Sequence, residues 1–177
     1  MTDNIIILGD SRVRGLGNYI SNKLNNNINI IDCAEGGADV EYLVNSLERV
    51  IDKYIKETNS TTTVIFSAGI CSLTQKSKKR KRQEVSYCNP EERYNKLIAG
   101  LDRIWSTCHI NKLSLITTTI YPISLDQSAK HFESSGRLTE RSWSIDDTKR
   151  QQSKLELDLD HVNDYIEINQ LQKEPPY

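Results

Sequence analysis

The sequence has no long apolar run, few aromatic residues and no surplus of charge of either sign. Its 177 residues include 23 Lys and Arg against 24 Asp and Glu, and aromatic residues make up only 7%. No stretch approaches the roughly 20 apolar residues of a membrane-spanning helix, so no membrane span is expected. The balanced charge offers no global field that would attract nucleic acid or a membrane surface. No basic and then apolar leader follows Met1, so we expect an intracellular protein, cytoplasmic or nuclear.

The usual signatures of cofactor and metal sites are also missing. Gly15-x-Gly17 lacks the third glycine of a dinucleotide fingerprint, and no Gly-Lys-Ser/Thr phosphate loop occurs. No group of His, Cys and carboxylate residues has the spacing of metal ligands. We therefore predict neither a cofactor nor a metal. The cysteines form no C-x-x-C pair, which favours free or buried thiols over disulfides and zinc; they are Cys33, Cys71, Cys88 and Cys108.

What the chain does contain is a regular alternation of short apolar stretches with helical patterns. The apolar stretches lie at 5–8, 28–33, 63–67 and 113–120, and their length and β-branched residues predict strands. Apolar residues at helical spacing follow at 13–24, 40–54, 94–105 and 145–173. This order predicts an α/β fold, a three-layer flavodoxin-like sandwich whose parallel sheet has four or five strands. The length fits a single domain over residues 1–177.

Two stretches fall outside this alternation. A loop at 75–89 is strongly basic and carries Lys78, Lys79, Arg80, Lys81 and Arg82. It is interpreted as a solvated insertion, a nuclear-import signal or a nucleic-acid contact. A polar stretch at 123–144 is predicted to be an irregular loop or a lid.

Ser11 occupies a special place in the predicted sheet. It follows the first strand directly, after Gly9 and Asp10, and a helical pattern begins at once. Open α/β sheets bind ligands and perform chemistry at the carboxyl ends of their strands. A serine there serves as a helix cap, a phosphate contact or a nucleophile, and capping is the commonest of these roles.

The motif Gly9-Asp10-Ser11 resembles the first sequence block of the SGNH (GDSL-type) hydrolases. Residues 34–38, Ala-Glu-Gly-Gly-Ala, and 66–71, Phe-Ser-Ala-Gly-Ile-Cys, lie where that family has its second and third blocks. The resemblance implies an SGNH-like sandwich and an esterase or lipase-like hydrolase that acts on a small acyl ester through Ser11. The resemblance is also compatible with a degenerate or C-terminally truncated member of the family, of the mobile-element or viral type.

The resemblance also implies an oxyanion hole, which stabilises the negative charge of the reaction intermediate. Its donors would be the backbone N–H of Ser11, the backbone N–H of Gly37 or of its neighbour Gly36, and an amide side chain. Where the family has an asparagine for that last role, this chain has Cys71. A thiol is a poor hydrogen-bond donor.

The family supplies its base in an Asp-x-x-His motif, and Asp158-Leu159-Asp160-His161 is the one stretch with that spacing. On this interpretation His161 activates Ser11 and Asp158 orients His161. The helical pattern from 155 to 166 runs through the motif, so an alternative is that both side chains form the polar face of the last helix. His131 is a further candidate base, if the loop at 123–144 folds over the site.

A second hypothesis belongs to another class of function. The chain would be an SGNH-like scaffold without a complete catalytic set, serving as a binding module. The basic loop, together with Arg12 and Arg14, makes nucleic acid the first partner to test. The sequence does not indicate an oligomeric state.

Overall fold

The computed structural model of the chain describes residues 3–24, 28–55, 60–76, 85–87, 91–120, 123–135 and 144–172. The strands within these residues are β1 (Asp3–Gly9), β2 (Ile28–Ala34), β3 (Thr62–Ser67), β4 (Thr74–Lys76), β5 (Val85–Tyr87) and β6 (Ser114–Thr117). The α-helices are α1 (Leu16–Lys23), α2 (Val40–Val50), α3 (Ile70–Leu73), α4 (Glu91–Ile110), α5 (Leu125–Ser134) and α6 (Ile145–Gln172).

The main sheet has four parallel strands in the order β2-β1-β3-β6. The strand β1 is therefore central, with β2 on one side and β3 on the other. At its carboxyl end Gly9 lies opposite Ala34 of β2 and Ser67 of β3. The predicted α/β class with a parallel sheet is confirmed, with four strands. The short strands β4 and β5 form a separate antiparallel pair, so the described residues of the predicted loop at 75–89 are in strand and not in a loop.

Helices cover both faces of the main sheet. One face contributes Ile6, Leu8, Val64 and Phe66 to a continuous core with apolar residues of α2, α4 and α6. Because side chains alternate along a strand, Ile7 points to the other face, where it is also fully buried. The helix α1 packs against β2 on that face, with Gly17 so close to Asp32 that a Cβ there would lie 2.7 Å from Asp32 Oδ2.

The helices with the clearest apolar pattern form where the sequence predicts them. Asp39 caps α2, since its carboxylate accepts a hydrogen bond of 2.9 Å from the backbone N–H of Tyr42. A π-helical turn, Ile51–Ile55, extends α2, and it leaves Tyr54 exposed rather than buried as predicted. The helix α6 buries one stripe of residues at spacings of four, three and four: Leu155, Leu159, Val162 and Ile166. None of the described helices is both long and apolar enough to cross a membrane.

Two predictions of local structure are wrong. The stretch at 123–144 was predicted to be irregular, but it contains α5, which Ser124 caps by accepting a hydrogen bond from Gln127 N. Leu125 and Ala129 of α5 are buried, so tertiary packing stabilises a helix whose sequence is mostly polar. The first helix was predicted to begin beside Ser11, but α1 begins at Leu16. Gly15 precedes it with φ +88°, a left-handed conformation that delays the helix.

The helix α6 is attached to the end of the edge strand β6 by one side chain. Asn163 Oδ1 accepts a hydrogen bond of 2.7 Å from Ile120 N, and Asn163 Nδ2 donates one of 3.0 Å to Ile120 O. Both backbone groups of Ile120 are thereby satisfied after the strand has ended, where no neighbouring strand can pair with them. This contact connects α6 to the edge of the sheet at which the parallel strands end.

We expect Asn163→Ala to destabilise the protein by about 1–3 kcal/mol, because it leaves two partly buried backbone groups without partners. Asn95→Ala is the matched control: Asn95 is exposed on α4, and its substitution should change the free energy of unfolding by less than about 0.5 kcal/mol. Urea denaturation of both variants measures the difference. Equal, small losses for both would contradict the role of Asn163.

Candidate active site

Ser11 lies in the turn that follows the central strand β1, at the carboxyl edge of the sheet. Its side chain is exposed, and four residues separate it from the start of α1. The hydroxyl group makes no hydrogen bond within the part of the chain that the structure describes. Ser11 is therefore not a helix cap, because a cap would accept a hydrogen bond from the first turn of α1.

The residues on either side of Ser11 are joined to each other. Asp10 is 1% exposed, and its carboxylate accepts hydrogen bonds from the backbone N–H of Arg12 and from the Arg12 guanidinium. The guanidinium binds with two nitrogens, Nε at 2.9 Å from Oδ1 and Nη2 at 2.8 Å from Oδ2. Such a two-point contact is the strongest form of this ion pair. It closes the turn and directs the intervening Ser11 side chain to solvent.

The turn also depends on a close approach at Gly9. A Cβ at this position would lie 2.8 Å from the carbonyl oxygen of Ser67 and would collide with the Val13 side chain. Glycine alone leaves room for the turn to fold back onto the end of β3. Packing around position 9 thus requires the glycine of the Gly9-Asp10-Ser11 motif.

The loop after β2 lies near Ser11. Its first residue, Glu35, donates a backbone hydrogen bond of 3.0 Å to Gly9 O, which ties the loop to the end of β1. The Cβ of Ser11 lies 4.0 Å from the position that a Cβ on Gly36 would occupy. Gly37 follows with φ +83°. In the described residues, the backbone N–H groups of Ser11 and Gly37 donate no hydrogen bond, so both are available to an acceptor.

Cys71 lies in the short helix α3, after the end of β3, and is half-buried. It borders a cavity of about 180 Å³ together with Asp39 at the start of α2 and Arg93 and Lys96 of α4. Ser72 joins α3 to the start of α2, since its Oγ accepts a hydrogen bond of 3.0 Å from Val40 N. The loop that carries Gly37 and the helix that carries Cys71 are therefore neighbours.

Asp158 and His161 both lie within α6, which continues without a break through the Asp-x-x-His stretch. Asp158 is half-buried beside Tyr94 of α4; burial raises the pKa of the Tyr94 hydroxyl, and the charge of the Asp158 carboxylate raises that pKa further. His161 is exposed, and its ring makes no hydrogen bond within the described residues. The side of α6 that contacts Ile120, in the segment after β6, carries Asn163.

The remaining predicted groups lie elsewhere or outside the described residues. His131 is exposed on α5, and His109 is exposed near the end of α4. The basic residues Lys78, Lys79, Arg80, Lys81 and Arg82 lie outside the described residues. The described residues contain no group of three or more His, Cys, Asp or Glu side chains arranged to hold a metal ion.

Sequence reasoning missed the structural roles of two residues around this site. The sequence suggests Arg12 only as a nucleic-acid contact and gives no role to Asn163. The Asp-x-Arg spacing at 10–12 is a signal for the first, because a residue two positions on can reach back across a turn. No sequence signal identifies Asn163, since its partner Ile120 lies 43 residues away.

Arg12→Met should destabilise the fold by about 2 kcal/mol, because the buried Asp10 carboxylate would lose its charged partner. The control is Arg103→Met, which breaks an ion pair of 2.8 Å with Glu48 between exposed side chains and should cost below about 1 kcal/mol. The free energies of unfolding in urea compare the two. A loss for Arg12→Met no greater than for the control would contradict the clamp.

No family model and no curated protein matches the chain by sequence. Solved structures do resemble it. Esterase EstA from Pseudoalteromonas sp. is 14% identical, with 94% of this chain and 99% of that chain covered and a TM-score of 0.47. The acetyl xylan esterase AlAXEase is 13% identical over 91% and 74% of the two chains, with a TM-score of 0.48. A member of the lipolytic protein G-D-S-L family from Veillonella parvula DSM 2008 is 14% identical over 77% and 75%, with a TM-score of 0.45.

Proposed function

We propose that this chain is a serine hydrolase of the SGNH type that cleaves an acyl ester through Ser11. The observation that carries the proposal is the position of Ser11: an exposed hydroxyl at the carboxyl end of the central strand, in a turn closed by Asp10 and Arg12. Parallel α/β sheets place reactive groups at this edge. Because the clamp occupies the neighbours of Ser11 and not Ser11 itself, the hydroxyl is free to react.

The reaction would proceed through a covalent acyl-enzyme. Ser11 Oγ attacks the ester carbonyl carbon and gives its proton to a base, and the carbonyl oxygen becomes an oxyanion. The intermediate then collapses, the bond to the alkoxy group breaks, and the base returns the proton to the departing alcohol. Water then attacks the acyl carbon and gives its proton to the base. The bond to Ser11 Oγ breaks, the acid leaves, and the base returns the proton to Ser11.

The oxyanion would be stabilised by backbone donors from two loops. The N–H groups of Ser11 and Gly37 have no acceptor within the described residues, which is the condition that an oxyanion hole requires. Cys71, in the short helix α3 that follows β3, would supply a weaker third donor than an amide. The proposal therefore predicts a slow esterase, because the loss of one good donor costs about a hundredfold or more in rate.

The base in this proposal is His161, with Asp158 as its partner. Support comes from their spacing of three residues within α6, which matches the Asp-x-x-His motif. The contact of α6 with Ile120 is made by Asn163, and residues two apart on a helix do not share a face. No contact between described residues joins His161 to Ser11, so the identity of the base is tested apart from the identity of the nucleophile.

A fluorophosphonate probe, which reacts with activated serines, tests the nucleophile. The wild-type chain should be labelled, and Ser11→Ala should abolish labelling without changing the thermal unfolding temperature, because Ser11 is exposed. Ser21→Ala, at an exposed position of α1, is the matched control and should be labelled like the wild type. A folded wild-type chain that stays unlabelled, or a Ser11→Ala variant that is still labelled, would overturn the proposal.

The base is tested by the rate of labelling in two histidine variants. His161→Ala should slow labelling by about a hundredfold or more, which is the usual contribution of a general base. His131→Ala should leave the rate unchanged. The reverse result would assign the base to His131, and unchanged rates in both variants would show that neither histidine activates Ser11.

A further inference from the structure

The guanidinium of Arg14 lies over Gly36, the loop residue that also approaches the proposed nucleophile. Its Nη2 atom is 2.8 Å from the position that a Cβ on Gly36 would occupy, and the Cβ of Ser11 is 4.0 Å from the same position. Arg14, Gly36 and Ser11 thus meet at one point of the strand-end edge. An acyl ester bound to Ser11 would have a positive charge at its side.

Arg14 differs from its neighbour Arg12 in what it binds. The guanidinium of Arg12 is engaged with the carboxylate of Asp10. Arg14 is exposed and makes neither a hydrogen bond nor an ion pair within the described residues. Two acidic residues of this edge are engaged elsewhere: Asp10 binds Arg12, and the carboxylate of Asp39 caps α2. Glu35, next to Gly36, forms no ion pair with Arg14 among the described residues.

We propose that Arg14 binds an oxyanion group of the substrate, a carboxylate or a phosphate, so that this enzyme prefers acyl esters that carry a negative charge. The inference rests on the proposed function, since it names the substrate class of the same site. A guanidinium is always charged and presents a planar fork of donors that matches the two oxygens of such a group.

The absence of a side chain at Gly36 leaves the space that the Arg14 guanidinium occupies. A side chain at position 36 would occupy the space that the guanidinium now fills, because the Cβ of an alanine there would come within 2.8 Å of Nη2. The backbone of Gly36 is not in the left-handed region, so alanine is compatible with the loop. Gly36→Ala therefore displaces the charge from Ser11 without removing it from the protein.

Three 4-nitrophenyl esters of equal chain length test the preference: the neutral hexanoate, the monoester of adipate and the ester of 6-phosphonohexanoate. The wild-type chain should hydrolyse one or both charged esters with a higher kcat/KM than the hexanoate. A larger gain for adipate would identify a carboxylate, and a larger gain for the phosphonate would identify a phosphate. Arg14→Gln should lower kcat/KM for the preferred charged ester by about tenfold or more and leave the hexanoate unchanged.

Three further variants separate the position of the charge from its presence. Arg14→Lys should retain part of the preference, because it keeps the charge and loses the fork. Gly36→Ala should reduce the preference as Arg14→Gln does. Arg103→Gln removes an exposed arginine on α4 that pairs with Glu48, and it should change none of the three rates.

A binding measurement keeps the inference separate from the esterase activity. Adipate and inorganic phosphate are each titrated into the ¹⁵N-labelled chain, and the amide signals of Ser11 and Gly36 should shift in the wild type but not in Arg14→Gln. Hydrolysis of the three esters at equal rates, unaffected by Arg14→Gln, would overturn the inference and leave the proposed function intact. Shifts that depend on Arg14, without hydrolysis of any ester, would support the anion site and contradict the proposed function. Amide signals that neither anion shifts would overturn the inference.

Discussion

The buried carboxylate of Asp10 sets a constraint on the whole strand-end edge. It lies at 1% exposure at the end of the central strand, and an isolated charge in such a place is strongly unfavourable. The guanidinium and the backbone N–H of Arg12 compensate it. The chain therefore turns back within two residues, and the side chain of Ser11, in the middle of that turn, faces solvent. An exposed serine is thus a consequence of the way a buried charge is neutralised.

Three further ties hold the surrounding loops at the same edge. A backbone hydrogen bond joins Glu35 to Gly9, and Ser72 Oγ accepts one from the start of α2. Asn163 joins α6 to Ile120, just beyond β6. Each tie satisfies a backbone group beyond the end of a strand or at the first residue of a helix, where the regular secondary structure provides no partner. Together these ties hold Ser11 near the loop that carries Gly36 and Gly37. Among the described residues, the Ser11 hydroxyl and the N–H groups of Ser11 and Gly37 make no hydrogen bond.

In the proposed function, Ser11 and the two backbone donors lie at this edge, whereas the proposed base, His161, lies on α6. In α6 the burial of Leu155, Leu159 and Val162 sets the rotation of the helix, and His161 follows from that rotation at an exposed position. The flank that meets the sheet edge carries an amide, Asn163, instead of an imidazole. The orientation of α6 is thus set by the packing of its apolar residues against the core, and the position of His161 is a consequence of that packing.

Charge at this edge is distributed unequally between two neighbouring arginines. Arg12 is an internal counterion, whereas Arg14 extends over Gly36 and faces solvent. Their spacing of two residues within one turn sends the side chains in different directions. A single short segment thus supplies a structural ion pair, an exposed hydroxyl and an exposed cation.

The sequence by itself determined the elements whose signals are local. Alternating apolar stretches predict the four parallel strands, the stripe at 155–166 predicts α6, and Asp39 predicts the start of α2, because each pattern depends on neighbours a few residues away. Tertiary structure alone decided the rest. The polar helix α5 forms because Leu125 and Ala129 pack against the core. The placement of Gly36 and Arg14 beside Ser11 follows from the pairing of β1 with β2, and the exposure of His161 from the packing of α6. Such contacts join residues that are distant in sequence, and no local pattern encodes them.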